Sequence, residues 1–235
     1  MTEFEALFND WKAEFNFSAF ISDGILNPKK YAPPHILFIL RDMNCRTERN
    51  LCDDLRRDGS GAKTWCNVGR WVTALLDGNE SYPYDMSGAK RAEQLSRISV
   101  INLKKEGGGS RTDGGELADT VARHKKYIAK EIELCAPDII ICCGLNIRNS
   151  PGNAALLHEN IFGGSPKWQS FPSAALPRDW WHYDAEINEK TVPVISFCHP
   201  QVTNLCGRRG HEKLFKPLYR DMLYIREKFI TKELN

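Results

Sequence analysis

Four short runs of consecutive apolar residues constrain this chain more than any other feature: HILFIL at 35–40, ISVINL at 98–103, DIIICC at 138–143 and PVISFC at 193–198. Each is bounded by Pro, Gly, Asn or charge and has the length of a strand rather than a helix. A strand with one wet face alternates apolar and polar residues. Three of these runs do not, which is the pattern of strands covered on both faces in a parallel sheet. Between the runs, apolar residues recur at helical spacing. Trp71, Val72, Leu75 and Leu76 precede Asp77-Gly78, and Leu117, Val121, Tyr127, Ile128, Ile132 and Leu134 form a longer stripe that stops before Pro137. Leu214, Leu218, Met222, Ile225 and Phe229 carry the pattern to the end of the chain, with Pro217 tolerable only in the first turns. The alternation of strands and helices predicts an α/β protein: a three-layer α/β/α domain around a central, mostly parallel four-stranded sheet with right-handed crossovers.

At 235 residues the chain is expected to form a single domain, with loops at 56–63 and 104–115 and a long loop or insertion at about 150–190 that carries Trp180-Trp181. Hydrophobic residues at 42% and charged residues at 26% exclude a disordered or fibrous chain. The longest apolar run, around 139–145, falls far short of the ~20 residues of a membrane helix, and the first ten residues are acidic rather than a basic leader. A cytoplasmic protein with no membrane contact is expected. None of the eight cysteines forms a C-x-x-C pair, so neither a zinc ribbon nor an iron–sulfur cluster has its usual hairpin, and free thiols are expected with no structural metal. A net charge of +2 identifies no partner, so a polyanion must be argued from where the basic residues lie.

In open α/β sheets the ligand crevice lies beyond the carboxyl ends of the strands. There this sequence places Arg41-Asp42-Met43-Asn44-Cys45-Arg46, then Asn102-Leu103-Lys104-Lys105, then Gly144-Leu145-Asn146, then His199-Pro200-Gln201-Val202-Thr203-Asn204. A carboxylate, two amides and an imidazole would share one crevice. Basic residues cluster at the same ends: Arg46, Arg49, Arg56 and Arg57, then Lys104 and Lys105, then Arg208 and Arg209, the last pair close to the start of the final helix. These are candidate phosphate contacts. Other motifs fail. GSGAKT at 59–64 lacks the adjacent Gly-Lys of a phosphate loop, the glycines at 107–109 lack the dinucleotide spacing, and neither G-x-S-x-G nor H-E-x-x-H occurs.

Four ordered pieces resemble the uracil-DNA glycosylase superfamily. ILFILRDMN is similar to the first-strand motif, where Asp or Asn follows the strand as in G-Q-D-P-Y or G-M-N-P-G, with Met43-Asn44 over the Met-Asn of the second form. INLKK resembles the second-strand segment with its Asn, here Asn102, and PDIIICCG the third-strand segment from Pro137 to Gly144. FCHPQVTN resembles the H-P-S motif, here His199-Pro200, followed by the run into the last helix. The likeness spans about residues 35–213. It implies a DNA glycosylase that flips a base and hydrolyses its N-glycosidic bond without metal or cofactor, leaving an abasic site. By the same resemblance Asn44 or Asp42 handles the water, neutral His199 donates to the departing base, and Asn102 reads its hydrogen-bonding edge. Thr203, Asn204, Lys104, Lys105, Arg208 and Arg209 would contact DNA.

The departures from the family pattern bear on substrate. Cys45 stands where the motif has Pro, Arg46 replaces the aromatic that closes off the 5-position, and Gln201 replaces the serine of H-P-S. Without the aromatic wall a larger 5-substituent fits, and Arg46 could bond its hydroxyls. The expected substrate is therefore uracil or a 5-modified pyrimidine such as hydroxymethylcytosine or its glucosylated form in phage DNA, which would make the protein an antiviral defence enzyme with damaged or modified DNA as partner and no obligatory protein partner. The competing readings are a non-catalytic nucleic-acid-binding module on the same fold, and a metal-dependent hydrolase using Asp42, His199 and a cysteine.

Overall fold

The structure, a computed structural model, describes residues 1–107, 114–145 and 152–231. In chain order these form α1 (Glu3–Glu14), β1 (Ile21–Ser22), β2 (Gly24–Ile25), β3 (Ile36–Leu40), β4 (Arg49–Asn50), α2 (Leu51–Asp58), α3 (Lys63–Val72), α4 (Gly88–Leu95), β5 (Ser99–Asn102), α5 (Gly114–Cys135), β6 (Ile139–Cys143), α6 (Asn153–Leu157), β7 (Gln169–Phe171), β8 (Trp180–Ile187), β9 (Lys190–Phe197) and α7 (Lys216–Phe229). Wider π-type turns extend α3 over Thr73–Asp77 and α6 over His158–Phe162, and another over His211–Phe215 leads into α7.

The local causes are ordinary. Thr2 and Glu5 cap α1 reciprocally, Thr2 accepting from the Glu5 amide at 3.2 Å while Glu5 accepts from the Thr2 amide at 2.7 Å. Left-handed Gly59 ends α2, left-handed Gly78 closes the turn after α3, and Pro217 sits in the first turn of α7. The four apolar runs become four neighbouring parallel strands in the order β5-β3-β6-β9. β3 and β6 are buried at every position. Their alternate residues feed two cores. Ile36, Phe38 and Leu40 pack with Trp71, Leu75, Leu95 and Leu218 on one face, and Leu37 and Ile39 with Trp11, Val121, Ile128 and Leu156 on the other. Helices therefore cover both faces of the sheet.

Two expectations need correction. The four parallel strands are the middle of a seven-stranded sheet, β2-β5-β3-β6-β9-β8-β7, in which β2, β8 and β7 join antiparallel. The segment at about 150–190, expected as a long loop or insertion, is largely regular structure. Its described part holds α6, its π-type turn, β7 and β8, and β8 folds back on β9 through Asn188 and Glu189, both at positive φ. Trp180 is buried, stacked on Phe197 at 4.2 Å between ring centroids and donating to Asp221 at 2.9 Å, while Trp181 is exposed. Of the expected loop at 56–63, residues 56–58 are the last turn of α2. Asn146 and the glycine-rich residues 108–113 lie outside the described residues. Among those described, no helix is long and apolar enough to cross a membrane.

Candidate functional site

The parallel strands end together. Beyond β5 and β3 the pairing continues as Leu103 N–H to Leu40 O (3.1 Å) and Lys104 N–H to Arg41 O (2.8 Å), and beyond β6 and β9 as Gly144 N–H to Phe197 O (2.9 Å). Arg41, Lys104, Gly144 and the Cys198-His199 pair thus leave the sheet at one edge, where the sequence placed the crevice.

His199 is the best defined group there. Its Nδ1 accepts the Gln201 amide at 3.1 Å, so in the neutral ring the proton sits on Nε2. Burial, with the Arg41 guanidinium adding to it, lowers the imidazole pKa from 6.5 to about 4. The ring is therefore a neutral donor at pH 7. Its turn is fixed by the Val202 amide on the His199 carbonyl (3.0 Å) and by Asn67 of α3, which donates to the Pro200 carbonyl at 2.6 Å and accepts from Arg70 at 3.1 Å.

The loop after β3 supplies half-buried Asp42 and Cys45 and exposed Asn44 and Arg46. It lies directly against the loop after β5, because a Cβ on Gly107 would overlap the Cys45 carbonyl; only glycine permits that approach. Gln201, Thr203, Asn204 and Arg209 are exposed on the loop after β9, and Arg208 donates to the Ala174 carbonyl at 2.9 Å.

Three groups of expected contacts are corrected. Lys105 is no DNA contact: its side chain is 0% exposed and salt-bridged to Asp23 and Glu131. Asn102 is buried, and both its backbone amide and its Nδ2 donate to Asp23, at 2.8 and 3.0 Å, so its side chain is oriented inside the protein by that carboxylate. Arg49, Arg56 and Arg57 pair with Asp54, Asp53 and Asp54 at the start of α2, acids that answer the helix dipole. Lys104 keeps its place at the rim but is bonded to Glu116.

Three residues, Asn153, Asn67 and Asp23, escaped the sequence analysis, and Arg41 was placed at the strand end without a role. Arg41 donates through Nε to Asn153 Oδ1 at 3.3 Å, and Asn153 in turn donates to the Cys143 carbonyl at 2.9 Å, tying the ends of β3 and β6. Asn67 holds the His199 turn and Asp23 holds Asn102. The one sequence signal for Arg41 was its position, first after the strand.

Cavities of about 290 Å³ beside Lys104, Glu116 and His124, and about 520 Å³ beside Asp77, Asp85 and Glu93, are not lined by Asn44 or His199. The convergent loops, rather than either hollow, gather the candidate side chains. All eight cysteines are free thiols, and burial raises those of Cys142, Cys143 and Cys198, which packs them as inert apolar groups. Among the described residues no group of three or more His, Cys, Asp or Glu side chains is arranged to hold a metal ion. No protein-family model matches the chain, and no curated protein matches it.

Proposed function

We propose that the chain is a cytoplasmic DNA N-glycosylase of uracil-DNA glycosylase-like fold, acting on a flipped uracil or 5-modified pyrimidine, hydroxymethylcytosine and its glucosylated form in phage DNA included. The observation that carries this reading is His199: a desolvated, neutral imidazole of fixed tautomer at the carboxyl edge of a parallel sheet. An N-glycosidic bond breaks by departure of the base with the C1′–N electron pair, while a water oxygen bonds to C1′ and the water's proton ends on the base. A neutral Nε2–H is suited to the base oxygen on which charge develops, because it stabilises the anion without having first to surrender a proton. Asp42 and Asn44, two residues apart on the loop after β3, are the groups to hold the water, Asp42 as base or Asn44 as positioner. Arg46 and Gln201, both exposed, are assigned here to a 5-substituent or the sugar, and Arg209, Thr203 and Asn204, also exposed, to the flanking strand.

The test is alkali-revealed strand scission on single-stranded and duplex oligonucleotides carrying uracil, a U·G mismatch, hydroxymethylcytosine or its glucosylated form. Abasic sites on at least one substrate are expected, with a loss of about 10²–10³ in rate for His199→Ala and no product from the Asn44→Ala, His199→Ala double variant. DNA retained by both proteins with no scission on any substrate would replace the glycosylase with a binding module.

A further inference from the structure

Arg41 leaves β3 at the same edge as His199, and its surroundings differ from those of the other cations there. Lys104 is paired with Glu116 and Lys105 with Asp23 and Glu131. Among the described residues Arg41 has no carboxylate in salt-bridge contact, although it is half-buried. What holds it is a neutral amide. Asn153 spends its N–H on the Cys143 carbonyl, so its oxygen is the end turned to Arg41 Nε, which orients the guanidinium without pairing its charge; neighbouring Asp42 acts on that charge only from beyond salt-bridge contact. The backbone makes room for this. Gly144 adopts φ +149°, and a Cβ there would lie 3.0 Å from Asn153 Oδ1 and 3.1 Å from Arg41 Nε. A desolvated cation without a counter-charge is costly unless something negative comes to it.

We infer that Arg41 is the anion-binding residue of this crevice, and that it takes the pyrimidine base in its anionic form as the base leaves the sugar. This rests on the glycosylase reading and adds to it the source of charge. His199 contributes a hydrogen bond and no charge, whereas a base leaving with an electron pair carries a full negative charge, and a fixed guanidinium is the group that answers it. The lowering of the Arg41 pKa, caused by burial and opposed by neighbouring Asp42, agrees with a guanidinium short of counter-charge. Burial is the main cause of the neutral His199 imidazole, and the repulsion Arg41 adds to it places the guanidinium charge within reach of that ring.

The experiment uses the full chain and two free bases of similar bulk, 5-nitrouracil, an anion at neutral pH, and thymine, which is neutral, with affinities from equilibrium dialysis. The wild type should prefer 5-nitrouracil at least about tenfold. Arg41→Gln should bring the ratio near one while thymine binding is kept, and Arg41→Lys, which restores the charge without the fork, should fall between. An unchanged ratio in a folded Arg41→Gln overturns the inference; where circular dichroism shows that variant unfolded, a wild-type ratio near one overturns it instead. Abasic product without anion preference removes the role of Arg41 and keeps the glycosylase. An Arg41-dependent preference in a protein that yields no abasic product keeps the anion site and removes excision.

Discussion

His199 is a histidine whose charge state is set by position alone. Burial costs the imidazolium its hydration, Arg41 repels it, and the Gln201 amide occupies Nδ1. An NMR titration should therefore find its midpoint near 4 rather than 6.5. A midpoint at the ordinary value would remove the argument for a neutral donor held by its surroundings. The sign for stability follows. Because the folded pKa lies below the unfolded one, this group's contribution is full above pH 6.5 and is lost as pH falls toward 4, so His199→Gln should flatten the stability profile within that window. His199 was legible in the sequence because a polar residue directly after a buried strand has few places to go. Arg41 occupies the equivalent place after β3, yet a lone arginine reads as a solvated charge. Its meaning depends on Asn153, 112 residues away, and no local pattern shows that partner.

At the scale of elements, the Asp23–Lys105–Glu131 cluster joins the residue between β1 and β2, the loop after β5 and the C-terminal part of α5 across a fully buried contact. Burial alone would push Lys105 down, but Asp23 and Glu131 together carry its pKa above the usual lysine value. Burial raises Glu131 well above the carboxylate range, with Lys105 opposing. The two partners should therefore respond differently. Lys105→Met leaves carboxylates buried without their cation and should cost about 3–5 kcal/mol, whereas Glu131→Gln keeps the shape of a group already inclined to neutrality and should cost under about 1.5 kcal/mol. Guanidinium unfolding curves measure both, and equal losses would contradict this account. The cluster also explains why Lys105 was misread: two lysines after a strand look alike until the helix above is in place. Strand recognition failed for a parallel reason. β3 and β6 announce themselves as unbroken apolar runs, but β8, WWHYDAEI, has one wet face and interleaves exposed Trp181, Asp184 and Glu186 with buried residues.

For the whole molecule the question is how much of an interface with DNA its charge can support. Thirty-two basic residues nearly cancel against thirty acidic ones, and the structure shows part of that cancellation as local pairs: Arg49, Arg56 and Arg57 on the acids of α2, Lys104 on Glu116, Lys105 inside the core. Of the cations proposed for phosphate at the carboxyl edge, Arg46 and Arg209 are exposed, Arg208 is held by a backbone carbonyl and Lys104 shares a carboxylate. Such an edge neutralises few phosphates. With about two to four contacts, the logarithm of duplex affinity should fall with that of salt at a slope of about −2 to −4, measured by anisotropy between about 50 and 200 mM salt. Arg209→Ala should reduce the slope by about one and weaken all sequences alike, because a phosphate contact carries no sequence information. Lys105→Gln, in a preparation still folded, should leave it unchanged. A slope steeper than about −6 would require cations away from this edge to join the interface, and a slope indifferent to Arg209 would move the DNA path off the loop that follows His199.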